Sequence, residues 1–236
     1  MIDELAERLA TAARLLHLEA HLNYSGHISA RLPGPEPGVL IHTYDSDRAA
    51  VRPEELLRCD LDGRPQPDSP AGRPPLEVFI HTEIYRARPD VQAVLHTHSE
   101  LSALFTLAET RLQPMKAAAV RWATGIPVHP DPTLIRTPRQ GRELAATLGQ
   151  HQAVLLRAHG GAIVAESIEA VFVDAIHFDE NARAQLEASA LGRLKPLTPG
   201  ELEALDETAE RERHVRKLWS YYLARGRAAG ILDAFS

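Results

Sequence analysis

Residues 91–98 read VQAVLHTH, an apolar run that ends in two histidines. A short run of this kind predicts a buried strand. Because residues i and i+2 of a strand point to the same side, the rings of His96 and His98 can converge on one ion. This segment therefore predicts a core strand of the fold and part of a metal site at its end.

Two other segments offer metal-binding side chains in comparable positions. His159 follows a second predicted buried strand, residues 153–157, and the two glycines after it allow the backbone to turn sharply. Glu77 begins a predicted helix after the breaker-rich residues 73–76. Three imidazoles and one carboxylate suit Zn²⁺, Mn²⁺ or Fe²⁺. An isolated His-x-His is a weak signal, but together these segments predict one divalent ion per chain.

Helical and strand patterns alternate along the rest of the chain. No repeat or shift in composition marks a boundary, so residues 1–236 are interpreted as a single α/β domain. Helices are predicted at residues 2–22, 77–88, 99–107, 139–149, 167–190 and about 200–225, with Thr198 as N-cap of the last. Strands are predicted at 27–32, 39–42, 91–98, 153–157 and 161–165, short strands or connections at 117–120 and 125–128, and one helical turn at 53–57.

Composition excludes several classes of protein. The chain has 12 histidines and one cysteine, Cys59, which leaves no thiolate cluster or disulfide framework within one chain. A net charge of −6 argues against nucleic acid as a partner. The acidic first residues and the lack of a long apolar run predict neither a targeting segment nor a membrane span. A cytoplasmic enzyme is expected.

The order and spacing of several motifs over residues 2–225 resemble the class II aldolase/adducin family. The resemblance implies a central, mostly antiparallel β-sheet with helices on both sides. It also implies a metal held by the three histidines above, with Glu77 as a fourth ligand or acid/base, and a homotetramer with active sites at subunit interfaces. The motifs are GHISAR at 26–31, PLE at 75–77, RPDV at 88–91, HTHS at 96–99 and AHG at 158–160.

Two departures from the sugar-phosphate aldolases of that family are informative. Those enzymes bind phosphate with a Gly-Asn pair and a Ser-Ser pair, where this chain has Gly26-His27 and Pro75-Leu76. Proline has no N–H, and leucine has no side-chain donor. The tyrosine acid that those aldolases carry is also missing from residues 112–120. A phosphorylated sugar is therefore disfavoured as substrate.

The pattern is closer to a decarboxylase branch of the family, whose substrates are hydroxylated aromatic or heteroaromatic dicarboxylic acids. We therefore expect a divalent-metal-dependent carbon–carbon lyase that releases CO₂ and passes through a metal-stabilised enolate. The alternative is an aldolase acting on a small sugar or hydroxy-carbonyl compound. Less favoured are an iron-dependent oxygenase and a non-catalytic, adducin-like interaction domain, which would not need the metal histidines.

Roles follow for other residues as hypotheses. His27 is a candidate proton donor or carboxylate contact, and Tyr221 or its neighbour Tyr222 is a candidate to close the pocket. Arg31 and Arg73 are candidate clamps for a substrate carboxylate, since a guanidinium binds a carboxylate at two points. Ser29 is a candidate substrate contact, whereas His81, on a predicted helix, is interpreted as a packing or interface residue.

Overall fold

The computed structural model describes residues 2–108, 110–205 and 210–232, and its seven strands form one sheet. The strands are β1 (His27–Arg31), β2 (Gly38–Ile41), β3 (Leu57–Asp60), β4 (Ala93–Thr97), β5 (Val128–His129), β6 (Ala153–Leu156) and β7 (Gly160–Ala165). Their order across the sheet is β3-β2-β1-β4-β7-β6-β5. Neighbouring strands are antiparallel except β5 and β6, which are parallel.

Helices cover both faces of this sheet. They are α1 (Ile2–Leu18), α2 (Val78–Ala87), α3 (Glu100–Leu107), α4 (Pro138–Leu148), α5 (Ile168–Leu191), α6 (Pro199–Ala204) and α7 (Arg211–Ala228). Thr198 accepts a hydrogen bond from the backbone N–H of Glu201 and caps α6, as predicted. None of the described helices is both long enough and apolar enough to cross a lipid bilayer.

The period-2 alternation of β4 divides the core into two layers. Ala93 and Leu95 pack into the cluster formed with α1, α3 and α5, whereas Val94 packs on the other face with α2 and α4. His96 is an even-numbered residue of this strand, so its ring lies on the same face as α2. The alternation of one strand thus directs the first metal-ligand candidate towards the helix that follows Glu77.

The predicted α/β fold with a mostly antiparallel sheet between two helical layers is confirmed. Three local predictions differ. Strand β3 was missed, because only Leu57 and Cys59 alternate inward over its four residues, too short a pattern to recognise. Residues 117–122 form a 3₁₀ helix, and Asn181 of α5 anchors the chain just before it by accepting from the N–H groups of Met115 and Lys116.

The predicted helix over 200–225 is also different in the structure. Helix α6 ends at Ala204, where the N–H of Leu205 closes the last turn on the carbonyl of Glu201, and α7 begins at Arg211. Residues 206–209 of the predicted helix lie outside the described residues.

Candidate metal centre

Four side chains from three parts of the chain converge beside the end of β4. The candidate ligand atoms of Glu77, His96, His98 and His159 all lie within 4.8 Å of one another. Nε2 of His98 is 2.9 Å from Nε2 of His96 and 3.0 Å from Nε2 of His159. Oε2 of Glu77 is 3.6 Å and 3.5 Å from the Nε2 atoms of His96 and His159. The structure thus brings the four predicted ligands together; that they bind a metal remains a prediction.

The donor set fits a divalent cation. A tetrahedral ion with bonds of about 2.0–2.1 Å separates neighbouring ligand atoms by roughly 3.3–3.4 Å, and the four separations given above, 2.9–3.6 Å, lie around this value. The Nδ1–H of His96 donates to the carbonyl of Gly161 over 3.0 Å, so its Nε2 carries the lone pair that a metal needs. His159 has no such partner among the described residues, and its Nδ1 is buried without a hydrogen bond.

Tight backbone contact places His98 and His159 beside each other. Ala158, just before the third histidine, has a φ of +57°, and its N–H donates to Oγ1 of Thr106. A Cβ at Gly160 would lie 2.1 Å from the carbonyl oxygen of Thr97 and 3.0 Å from Cα of His98. The close approach of these two chain segments therefore requires glycine at position 160.

Glu77 is held in the cluster as a carboxylate. It occupies the N-cap position of α2, and its Oε1 accepts a hydrogen bond of 2.9 Å from the N–H of Ile135. Burial opposes ionisation, but the nearby imidazoles of His159 and His96 outweigh it and hold the pKa of Glu77 well below its usual value. Burial and the neighbouring imidazoles lower the pKa of His98 to about 4. The centre therefore combines three imidazoles with one negative charge.

His27 lies next to this centre. It faces His96 across the β1–β4 pairing, and their ring centroids are 4.9 Å apart. Its Nδ1 is 2.6 Å from Nε2 of His81, whose Nδ1 is in turn 2.7 Å from Oγ of Ser29. Burial, with the nearby rings of His81 and His96, lowers the pKa of His27 well below its ordinary value. His27 is therefore a neutral imidazole beside the candidate ligands.

The predicted substrate contacts on β1 have other partners in this structure. Ser29 is fully buried, and its hydroxyl lies between His81 and Tyr85. The guanidinium of Arg31 donates to three main-chain carbonyls, those of Tyr85, Arg88 and Val91. Because these bonds connect β1 to the end of α2, we do not carry Ser29 and Arg31 forward as substrate contacts.

The two remaining predicted residues are exposed. The guanidinium of Arg73 stacks 4.0 Å from the ring centroid of Tyr44 and lies 3.5 Å from Asp45. Tyr221, on α7, is 57% exposed and contacts Tyr222 and Arg225. Helix α7 packs on α5 and α1, in the helical layer opposite α2. The chain by itself therefore does not bring Tyr221 to the four candidate ligands.

Sequence reasoning missed His81 and Tyr85, both fully buried on α2. A signal was available, because residues 77, 81 and 85 are spaced by four and so share one face of a helix. That face carries a carboxylate, an imidazole and a phenol, which is an unusual set for a core-facing helix.

Comparisons with known proteins agree with this architecture. The sequence profile described as "Class II Aldolase and Adducin N-terminal domain" matches residues 7–186. A 3,4-dihydroxyphthalate decarboxylase of Arthrobacter keyseri is 32% identical over 94% of both chains. A 4-hydroxy-3-prenylphenylpyruvate oxygenase/4-hydroxy-3-prenylbenzoate synthase of Streptomyces roseochromogenus subsp. oscitans is 34% identical over 66% of this chain and 57% of the relative.

Among solved structures, an aldolase II superfamily protein from Pseudomonas syringae superposes with a TM-score of 0.85. It is 25% identical, and the match covers 97% of this chain and 94% of that one. The family match spans most of the chain, and the sheet order and the four clustered side chains accompany it. This protein belongs to the class II aldolase and adducin family.

Proposed function

We propose that this protein is a divalent-metal-dependent carbon–carbon lyase that decarboxylates a hydroxylated aromatic or heteroaromatic dicarboxylic acid. The observation that carries the proposal is the cluster of three histidines and Glu77, with the neutral imidazole of His27 beside it. Its similarity over nearly the whole chain to a decarboxylase supports release of CO₂ rather than of an aldehyde.

The residues divide the chemistry among them. When bound, a divalent cation would act as a Lewis acid that stabilises negative charge on a substrate oxygen as the carbon–carbon bond breaks. His96, His98 and His159 would hold it, with Glu77 as the fourth ligand. His27 moves the proton that must reach the carbon from which CO₂ leaves. Arg73, exposed on the loop before Glu77, is the remaining candidate clamp for the second carboxylate.

A different carbonyl substrate is the principal alternative. An aldolase reaction needs the same Lewis acid but releases an aldehyde. The absence of the phosphate-binding pairs and of a tyrosine in residues 112–120 disfavours the sugar-phosphate version. The oxygenase among the relatives makes oxygen consumption a third outcome worth measuring. An interaction domain without activity is disfavoured by the intact ligand set.

The first test is metal content combined with product analysis. Purified protein is loaded with Zn²⁺, Mn²⁺ or Fe²⁺, and bound metal is counted by elemental analysis. Each form is then incubated with 3,4-dihydroxyphthalate and related hydroxy-dicarboxylic acids while CO₂, aldehyde and O₂ are followed. We expect about one ion per chain and CO₂ release. His96→Ala is expected to lose both, whereas His214→Ala, at an exposed position of α7, is the matched control and is expected to retain both.

The outcomes separate the candidate functions. Aldehyde without CO₂ would replace the decarboxylase by the aldolase, and O₂ uptake would replace it by the oxygenase. Failure to bind any of the three metals would exclude the metal-dependent enzyme altogether. Metal binding with no turnover of any tested acid would reject the proposed substrate class.

A cytoplasmic homotetramer with its active site at a subunit interface is part of the same proposal. A cleft of about 1160 Å³ lies between the end of α3 and residues 125–128, and its lining includes none of the four candidate ligands. Tyr221 is exposed, and it lies in the helical layer opposite α2, away from the candidate ligands. A neighbouring chain that supplies a wall and a tyrosine would explain both features. Light scattering of the purified protein tests the tetramer, and a monomeric mass would contradict it.

A further inference from the structure

A buried chain of hydrogen bonds runs from α2 to the candidate centre. The hydroxyl of Tyr85 donates to the carbonyl of Ser29 over 3.0 Å, and the same phenol oxygen is 3.0 Å from Oγ of Ser29. Oγ of Ser29 is 2.7 Å from Nδ1 of His81, and Nε2 of His81 is 2.6 Å from Nδ1 of His27. Each member is at most 3% exposed.

Assigning a donor and an acceptor to each of these hydrogen bonds selects one tautomer of His27. The proton of Tyr85 is used on the carbonyl of Ser29, so the Tyr85–Ser29 contact needs the proton of the Ser29 hydroxyl. Ser29 Oγ must then accept from Nδ1–H of His81. Nε2 of His81 is therefore an acceptor, and Nδ1–H of His27 donates to it. This arrangement leaves Nε2 of His27 without hydrogen and with a free lone pair.

The opposite arrangement is less favourable by one hydrogen bond. If the Ser29 hydroxyl donated to His81, only the proton of the Tyr85 hydroxyl would remain for two acceptors, Oγ and the carbonyl oxygen of Ser29. One of these two contacts with Tyr85 would then have no hydrogen. The lost hydrogen bond disfavours that arrangement. Burial disfavours the charged forms of these hydrogen-bonded side chains, since it lowers the pKa of His81 and raises that of Tyr85. The members therefore remain neutral, and the tautomer is decided by hydrogen bonding.

We propose that His81 is a positioning residue that, with Ser29 and Tyr85 behind it, holds His27 as the Nδ1–H tautomer so that Nε2 acts as the general base of the site. This inference rests on the proposed function for its substrate. Nε2 takes the proton of a substrate hydroxyl and returns it to the ring carbon that carries the departing carboxylate. The carbon–carbon bond then breaks, CO₂ leaves, and the electron pair ends on the oxygen that lost the proton. The role is that of the group that orients the base in a catalytic triad, filled here by an imidazole.

Two substitutions interrupt this series of hydrogen bonds at different points. Tyr85→Phe deletes the acceptor for the Ser29 hydroxyl, which then turns to His81 and favours the Nε2–H tautomer of His27. His81→Met removes the partner of His27, whereas His81→Gln keeps an acceptor for it. Thr82→Val, which deletes a buried hydroxyl without a hydrogen-bond partner among the described residues, is the matched control.

The readouts are kinetics and ring-nitrogen spectroscopy on the metal-loaded protein. We expect kcat to fall about 100-fold in His81→Met and about 10-fold in Tyr85→Phe, with KM within about threefold, unchanged metal content, and partial recovery in His81→Gln. Solid-state ¹⁵N spectra of histidine-labelled protein, assigned with His27→Asn, are expected to show hydrogen on Nδ1 of His27 in the wild type and on Nε2 in Tyr85→Phe.

The kinetic readout depends on the proposed function, whereas the ¹⁵N spectra test the tautomer of His27 without it. If no acid is turned over, the proposed function is rejected, but the ¹⁵N spectra still decide the tautomer. Hydrogen on Nε2 of His27 in the wild type would overturn the positioning role. So would an unchanged kcat in both variants, or a loss of activity explained entirely by lost metal or lost folding. Thr82→Val losing as much activity as Tyr85→Phe would also overturn it.

Discussion

Gly160→Ala is the sharpest test of how the backbone builds the candidate metal centre. The added Cβ would lie 2.1 Å from the carbonyl oxygen of Thr97 and 3.0 Å from Cα of His98. A carbon and an oxygen in weak C–H···O contact are about 3.3–3.6 Å apart. The overlap therefore exceeds about 1 Å, and both nearest atoms belong to the backbone. No change of rotamer relieves it, so β7 must move away from the end of β4.

The cost has two parts. Over-packing in a well-packed core costs about 1–3 kcal/mol, and we expect the upper end because backbone faces backbone. For a chain of this size, 1 kcal/mol lowers Tm by about 2–4 °C, so metal-free Gly160→Ala is expected to melt roughly 6–12 °C below the wild type. Displacement of His98 and His159 is also expected to weaken metal binding by about 10–100-fold, as losses of supporting contacts around metal ligands do.

Calorimetry of the metal-free protein measures the loss of Tm. Competition with a metallochromic chelator measures the loss of metal affinity in the folded protein. Gly200→Ala is the matched control, because a Cβ there meets nothing within 4 Å, and we expect its Tm and metal affinity to be unchanged or slightly higher. A Gly160→Ala protein with wild-type Tm and metal affinity would refute the argument from close approach.

Two further predictions concern residues around the centre. Arg31→Met is expected to destabilise the fold by about 2 kcal/mol or more, since three carbonyls lose a charged donor, while KM stays within about twofold; a raised KM with unchanged Tm would restore Arg31 as a substrate contact. Burial lowers the pKa of His42 to about 3 from an ordinary 6.5, so between these values the unfolded chain binds a proton that the folded chain does not, and stability falls as pH falls. We expect the free energy of unfolding, measured in urea from pH 6 to pH 4, to fall more steeply in the wild type than in His42→Asn, by about 1.4 kcal/mol per pH unit. Equal slopes would contradict the lowered pKa of His42.

The local patterns of the sequence were enough for the main features of this fold. Apolar runs and helical periodicity identified β4, β6 and the long helix α5, because each is long or uniform enough for its period to be recognised. The His-x-His pair at the end of β4 and the His-Gly turn before β7 are also local patterns. Together with Glu77 at the start of a predicted helix, they gave four candidate ligands, which the structure brings within 4.8 Å of one another.

The partners of β1 were beyond reach of such patterns. Ser29 and Arg31 alternate with apolar residues as they would on a strand open to a substrate, and His81 looks like one more helical histidine. Their contacts join positions that are more than 50 residues apart. Which side chains meet there depends on the angle and register at which α2 lies on the sheet.

The amino-acid sequence by itself therefore determined the strand and helix periods and the kinds of ligand atom available to a metal. Tertiary structure alone decided which imidazole is held by which neighbour. Periodicity determines only the direction in which a side chain leaves its own element. A hydrogen-bonded network such as Tyr85–Ser29–His81–His27 exists only when a helix and a strand are packed with their polar faces together, where burial makes an unpaired donor or acceptor costly.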